Sequence, residues 1–228
     1  MKINGKINFK KLFNKYKHGL VLSYFFIYMI WFTILEKTVT TEFTPVYSRL
    51  DDYIPFWEIF IIPYFIWFGY IFATVAYFFF TSRQDFYKCC AFLFIGMTIC
   101  LLIYTLWPNG HYLRVNLNTL GRSNIFTKLL GMIYAVDTST NVFPSIHVYN
   151  SIGAMIAIRT SEKLRPIKWL QISALILTIL ICMSTVFLKQ HSILDVFGGI
   201  ILSIIMYGIV YVPDKKLAKK TEHELSNV

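Results

Sequence analysis

Cysteine and charge are both thin in this sequence. The four cysteines, Cys89, Cys90, Cys100 and Cys182, lie at or within apolar stretches and lack the spacing of a zinc site or a disulfide framework. They read as small packing residues. Charged residues make up 15% of the 228 and hydrophobic ones 56%, a balance that leaves a large soluble core or a stack of membrane helices. No repeat, low-complexity tract or long linker divides the chain. Nor does a small-residue cleavage site follow the first apolar stretch before Glu36 and Lys37, so that stretch is expected to stay as an anchor despite its basic flank.

Apolar runs are what the chain has in quantity. A hydrocarbon core of about 30 Å takes about 20 mostly apolar residues per helix. Runs bounded by charge, Pro or Gly fall at about 19–36, 56–80, 88–106, 145–160, 167–188 and 192–211. The expected fold class is all-α, a polytopic membrane bundle of six transmembrane helices over 19–211. A basic amphipathic cytoplasmic lead precedes it at 1–18 and a polar cytoplasmic tail follows at 212–228. The fourth run is short and polar at its start, and it restores an even topology.

A net charge of +10 would suit nucleic acid if it were clustered, but the cations collect in alternate connections. The N-terminal lysines, Arg83 and Lys88, the stretch from Arg159 to Lys168, and the C-terminal lysines fall to one side. Lys37, Arg49, Arg114, Arg122, Lys128 and Lys189 fall to the other. This positive-inside pattern predicts a multi-pass cell-membrane protein with both termini cytoplasmic, whose partner is the bilayer and not nucleic acid. The lead, KINFKKLFNKYKH, interleaves lysines with Phe, Leu and Tyr and suits an anionic lipid surface.

The longest outward connection, residues 107–144, is too long for a passive turn. Within it SNIFTKLLGMIYAV predicts a short interfacial helix capped by Ser123 or Asn124, with Phe126, Leu129, Leu130 and Ile133 on one side. Chemistry gathers around this connection. His191 and Asp195, four apart, share a helix face, where the carboxylate can hold Nδ1–H and free Nε2 as a nucleophile. In FPSIH, Pro144 opens a helix, Ser145 places a hydroxyl beside its unpaired amides, and His147 stands in the first turn as a proton donor. Arg114 brings a planar fork suited to phosphate oxygens. A phosphate suits this set better than a divalent cation, so no metal is expected.

The order of these pieces resembles the type 2 phosphatidic acid phosphatase (PAP2) superfamily, in its membrane branch. The patterns KxxxxxxRP, PSGH and SRxxxxxHxxxD align with WPNGHYLRV, PSIH and STVFLKQHSILD. The resemblance implies a six-span bundle and a metal- and cofactor-free phosphohistidine mechanism at the extracytoplasmic face. His191 would be the nucleophile, Asp195 its orienting partner, His147 the acid, and Arg114 and Ser145 the holders of phosphoryl oxygens of a lipid phosphate or diphosphate. Trp107, Val115, Ile146 and Thr185 stand where the patterns have Lys, Pro, Gly and Arg. Lys189, and His111 or Arg122, are candidates to replace the missing charges. FPSxH without the later arginine is also similar to the inositol phosphorylceramide synthase branch, whose members pass a phospho-headgroup to a lipid hydroxyl. A non-catalytic lipid-binding bundle or transporter is the alternative of a different class.

Overall fold

A computed structural model describes residues 9–213, and the chain within it is mostly helical. The first eight residues of the expected lead and the tail from residue 214 lie outside the described residues. Nine α-helices follow in order: α1 Phe9–Tyr16, α2 Tyr24–Thr38, α3 Leu50–Tyr53, α4 Ile61–Thr81, α5 Arg83–Leu106, α6 Ile125–Val136, α7 Ile146–Thr160, α8 Lys168–Phe187 and α9 Ile193–Val210. Two short strands, β1 Thr44–Pro45 and β2 Asn109–Gly110, pair in parallel and tie the α2–α4 connection to the α5–α6 connection.

Among the described residues, five stretches are long and apolar enough to cross a membrane: Phe13–Thr38, Glu58–Thr81, Arg83–Leu106, Lys168–Phe187 and Ile193–Val210. They coincide with five of the six expected runs. The fourth run differs in kind. At 15 residues α7 rises about 22 Å, short of a full hydrocarbon core. It packs against α4, α5, α8 and α9, which surround it, and it buries Val148, Tyr149, Asn150, Ser151, Gly153, Ala154 and Ala157. A helix screened from lipid by its neighbours has no need of an apolar surface all round, which is why its pattern looked weak as a span. The long helices instead turn large apolar side chains outward, among them Phe26 and Ile30 of α2, Phe72 and Phe80 of α4, and Ile201 and Ile204 of α9.

The bundle has two chemically distinct ends. At one, cations close helix C-termini: Arg83 Nη2 donates to the Lys15 carbonyl at 2.8 Å and Lys163 Nζ to that of Thr81 at 2.9 Å. At the other end the connections 39–60, 107–124, 137–145 and 188–192 come together. Glu36, at the end of α2, accepts from Thr138 N, Thr138 Oγ1 and Asn141 Nδ2. Asn109 Oδ1 accepts the amides of Val142 and Phe143. These bonds fix the entry into α7. Cys89, Cys90 and Cys100 are buried in the core between the helices, and the four cysteines are free thiols.

Candidate active site

Two helices begin side by side at the loop-rich end, and the candidate side chains lie in their first turns, His147 and Asp195, and in the turn just before the second, His191. Ser145 is the N-cap of α7, its hydroxyl accepting from Val148 N, and Ser192 is the N-cap of α9. The two starts approach closely because α9 has glycines there. A Cβ on Gly199 would stand 2.9 Å from the Ser145 carbonyl oxygen, and one on Gly198 would stand 2.7 Å from the Phe143 ring. In the space so gained, Ser145 N donates to the Asp195 carbonyl at 3.0 Å.

After α8 the chain turns sharply, with Lys189 in the left-handed region at φ 54° and the amides of Gln190 and His191 both donating to the Thr185 carbonyl. This turn brings His191 back over α9. Its Nδ1 lies 3.1 Å from Asp195 Oδ2, which also accepts Ser192 N at 2.9 Å. An ionised carboxylate only accepts, so the proton belongs on Nδ1 and Nε2 keeps its lone pair. Burial, followed by the charge of Arg114, holds the His191 pKa down to about 3, which keeps that lone pair available at neutral pH.

His147 faces His191 from α7, ring centroids 5.7 Å apart. Its ring is also packed on two aromatics of α4, Tyr64 at 4.7 Å and Trp67 at 4.4 Å. In the sequence Trp67 reads as an aromatic near a membrane interface and Tyr64 as an ordinary residue of an apolar span, and no local signal joins either to His147. Arg114 reaches the same turn through Gln190, the residue before His191. Its fork donates to the carbonyls of Tyr134 at 3.1 Å and Thr138 at 2.7 Å and to Gln190 Oε1 at 2.6 Å, and it stacks 4.5 Å over the Tyr134 ring. Its Nε is buried and has no partner among the described residues. Gln190 and Tyr64 both donate to Asp137 Oδ2, at 3.4 and 3.1 Å. Burial, followed by the charge of Glu36, raises the Asp137 pKa to about 6. Gln190 was legible only as a polar residue next to a histidine at a helix mouth.

The candidate replacement cations are each bonded within the fold. Lys189 Nζ donates to the carbonyls of Asp51 at 2.8 Å and Ile54 at 2.6 Å. Arg122 forms a two-pronged pair with Glu58, both contacts 2.7 Å. His111 donates from Nε2 to the Gln190 carbonyl at 2.8 Å and accepts Leu113 N at Nδ1, a bonding that fixes the neutral tautomer. Burial above all lowers its pKa to about 4. Among the described residues, no three His, Cys, Asp or Glu side chains gather as metal donors.

Over the site lies α6, begun at Asn124 by a reciprocal cap with Thr127. Leu130 packs with Ile61, Tyr64 and Leu188, while Ile125, Met132 and Val136 face outward.

Residues 122–217 match the family model described as the PAP2 superfamily. That segment takes in FPSIH and the His191–Asp195 turn and begins after Arg114. No curated protein and no solved structure matches the chain.

Proposed function

From the PAP2-superfamily match and the paired histidines, we propose that this protein is a multi-pass membrane enzyme that cleaves a lipid phosphate or diphosphate through a phosphohistidine. The observation that carries the reading is the His191 Nδ1 to Asp195 contact of 3.1 Å with the His147 ring 5.7 Å away. This is an oriented nucleophile facing a second imidazole at the start of a helix.

In the first half-reaction Nε2 of His191 bonds to phosphorus as the bond to the leaving oxygen breaks. The phosphate's negative charge favours the protonated form of His147, which gives its proton to that oxygen. The phosphorylated ring becomes cationic, and the Asp195 carboxylate stabilises it. In the second half-reaction neutral His147 takes a proton from water, the water oxygen bonds to phosphorus, and His191 is released. Arg114 Nε and the amides of Ile146 and His147, which a helix start leaves without intrahelical acceptors, hold the non-bridging oxygens. The long spans and the outward stripe Ile125, Met132 and Val136 of α6 support entry of the substrate from the outer leaflet. The positive-inside pattern supports six crossings, with α7 the screened one, cytoplasmic termini and an extracytoplasmic site.

A second reading draws on the engaged cations. With Lys189 on the Asp51 and Ile54 carbonyls, Arg122 on Glu58 and the Arg114 terminal nitrogens on Tyr134, Thr138 and Gln190, Arg114 Nε is the cationic donor left for the substrate among the described residues of the site. A monoanionic phosphodiester matches that supply better than a dianionic monoester. This favours transfer of a phospho-headgroup to a lipid hydroxyl, the same chemistry with a different second acceptor.

The test is product analysis with the purified full-length protein over a panel of lipid phosphates and headgroup-bearing lipid phosphodiesters, with and without a lipid hydroxyl acceptor. His191→Ala and His147→Ala are each expected to lower turnover at least about a hundredfold. Free phosphate identifies a hydrolase and a new phosphodiester a transferase. Turnover that survives both substitutions would remove the phosphohistidine assignment.

A further inference from the structure

The turn that carries His191 is held by a segment about 140 residues earlier in the chain. Asp51, in the one-turn helix α3, is 2% exposed. Its Oδ1 accepts Ile193 N at 2.8 Å, and its Oδ2 accepts Ser192 Oγ at 2.6 Å and Ser48 N at 2.9 Å. Having donated to Asp51, the Ser192 hydroxyl accepts Leu194 N at 3.2 Å. The Ser192 amide donates to the same Asp195 oxygen that His191 uses. Lys189 Nζ and Trp57 N close the contact from either side, on the Asp51 and Ile54 carbonyls and on the Phe187 carbonyl.

We propose that Asp51 is a positioning residue for the phosphoryl-transfer site, acting through Ser192 to set the geometry of the His191–Asp195 pair. Two physical reasons support this. A buried carboxylate with three donors is anchored more firmly than an exposed one, and here its anchors lie on the residues immediately following the nucleophile. The amides that open α9 are also the donors that would otherwise compete for a phosphate at this end of the bundle. Asp51 and Ser192 occupy those of Ile193 and Leu194, which leaves the start of α7 as the anion site. Asp51 itself touches no reacting atom. It controls where the imidazole points, and a displacement of about 1 Å at a nucleophile costs on the order of a hundredfold in rate.

The inference rests on the phosphohistidine reading, so its test has two arms. In full-length protein, Asp51→Asn keeps the shape of the side chain. It is expected to lower kcat about tenfold to a hundredfold with KM for the lipid within about threefold. Ser192→Ala should do the same, and the double variant should be no slower than the worse single one, because both act along one path. Independently of turnover, the rate at which diethyl pyrocarbonate acylates His191, followed by mass spectrometry, should change at least tenfold in Asp51→Asn and by less than threefold in Arg49→Ala. If no lipid is turned over by the wild-type protein, the catalytic reading fails and the acylation arm alone decides. An unchanged acylation rate, or losses that multiply in the double variant, would overturn the positioning role.

Discussion

Replacing Asp195 by Asn removes a charge while keeping a shape, and the structure lets the cost be worked out. Both contacts that Asp195 accepts, from His191 Nδ1 at 3.1 Å and Ser192 N at 2.9 Å, fall on one oxygen. An asparagine can offer its carbonyl oxygen to both, so the cap of α9 survives. What is lost is the attraction between the carboxylate and the positive charge that the ring gains once Nε2 bonds to phosphorus. Two unit charges 3.1 Å apart interact by roughly 5 kcal/mol at an effective dielectric constant of about 20. The neutral ring of the free enzyme draws little of this, so most of it acts in the covalent step. After allowing for relaxation, a loss of about 3–4 kcal/mol corresponds to roughly 10²- to 10³-fold in kcat. Rapid-quench measurement of phosphoenzyme formation would read it directly, with thermal unfolding as a check on folding. An Asp195→Asn enzyme that folds normally and forms phosphoenzyme within tenfold of the wild-type rate would refute the reasoning.

Three further outcomes are expected. Arg114→Lys exchanges a fork spanning Tyr134 O, Thr138 O and Gln190 Oε1 for a single ammonium, leaving at least one buried acceptor open at about 1–3 kcal/mol. It should lower both the melting temperature and kcat/KM, and a fully active, equally stable Lys variant would contradict the fork's role. Acid should weaken the fold through His111. The unfolded chain takes up this proton below about pH 6.5 and the folded one only near its pKa of about 4, so stability present above pH 6.5 is lost as pH falls toward 4, by up to roughly 3 kcal/mol. His111→Gln should flatten unfolding temperature against pH in that window, and an unchanged slope would show the imidazole is not the sensor. Gly96→Ala would put a Cβ 2.0 Å from Tyr149 Cζ, in a ring held by its bond to the Phe92 carbonyl, and should cost about 1–3 kcal/mol or more by overpacking. Gly69→Ala, where nothing lies within 4 Å, is the matched control in the same thermal assay.

Membrane helices were legible in the sequence because burial in lipid demands length and apolar content from each span by itself. The exception, α7, obeys its neighbours more than the lipid, and its shortness and polar residues followed from that. The helix α6 could be read for a similar reason, since capping is decided within four residues; the sequence left Ser123 and Asn124 as candidates, and the cap is Asn124. The His191–Asp195 pair was visible as an i, i+4 spacing.

Other features depended on partners far away in the chain. Lys189, placed by sequence as a phosphate ligand, donates to carbonyls 135 and 138 residues away, and Arg122 is engaged by Glu58, 64 residues away. Tyr64 and Trp67 join His147 only because α4 packs on α7. The sequence by itself determined the apolar helices the chain is built from and the spacing of its candidate site residues, because hydropathy and short spacings are local. Which acceptors Arg114, Arg122 and Lys189 meet, and which carboxylate holds the turn that carries His191, was decided by the tertiary structure, because a hydrogen bond forms only where the fold brings donor and acceptor within about 3 Å.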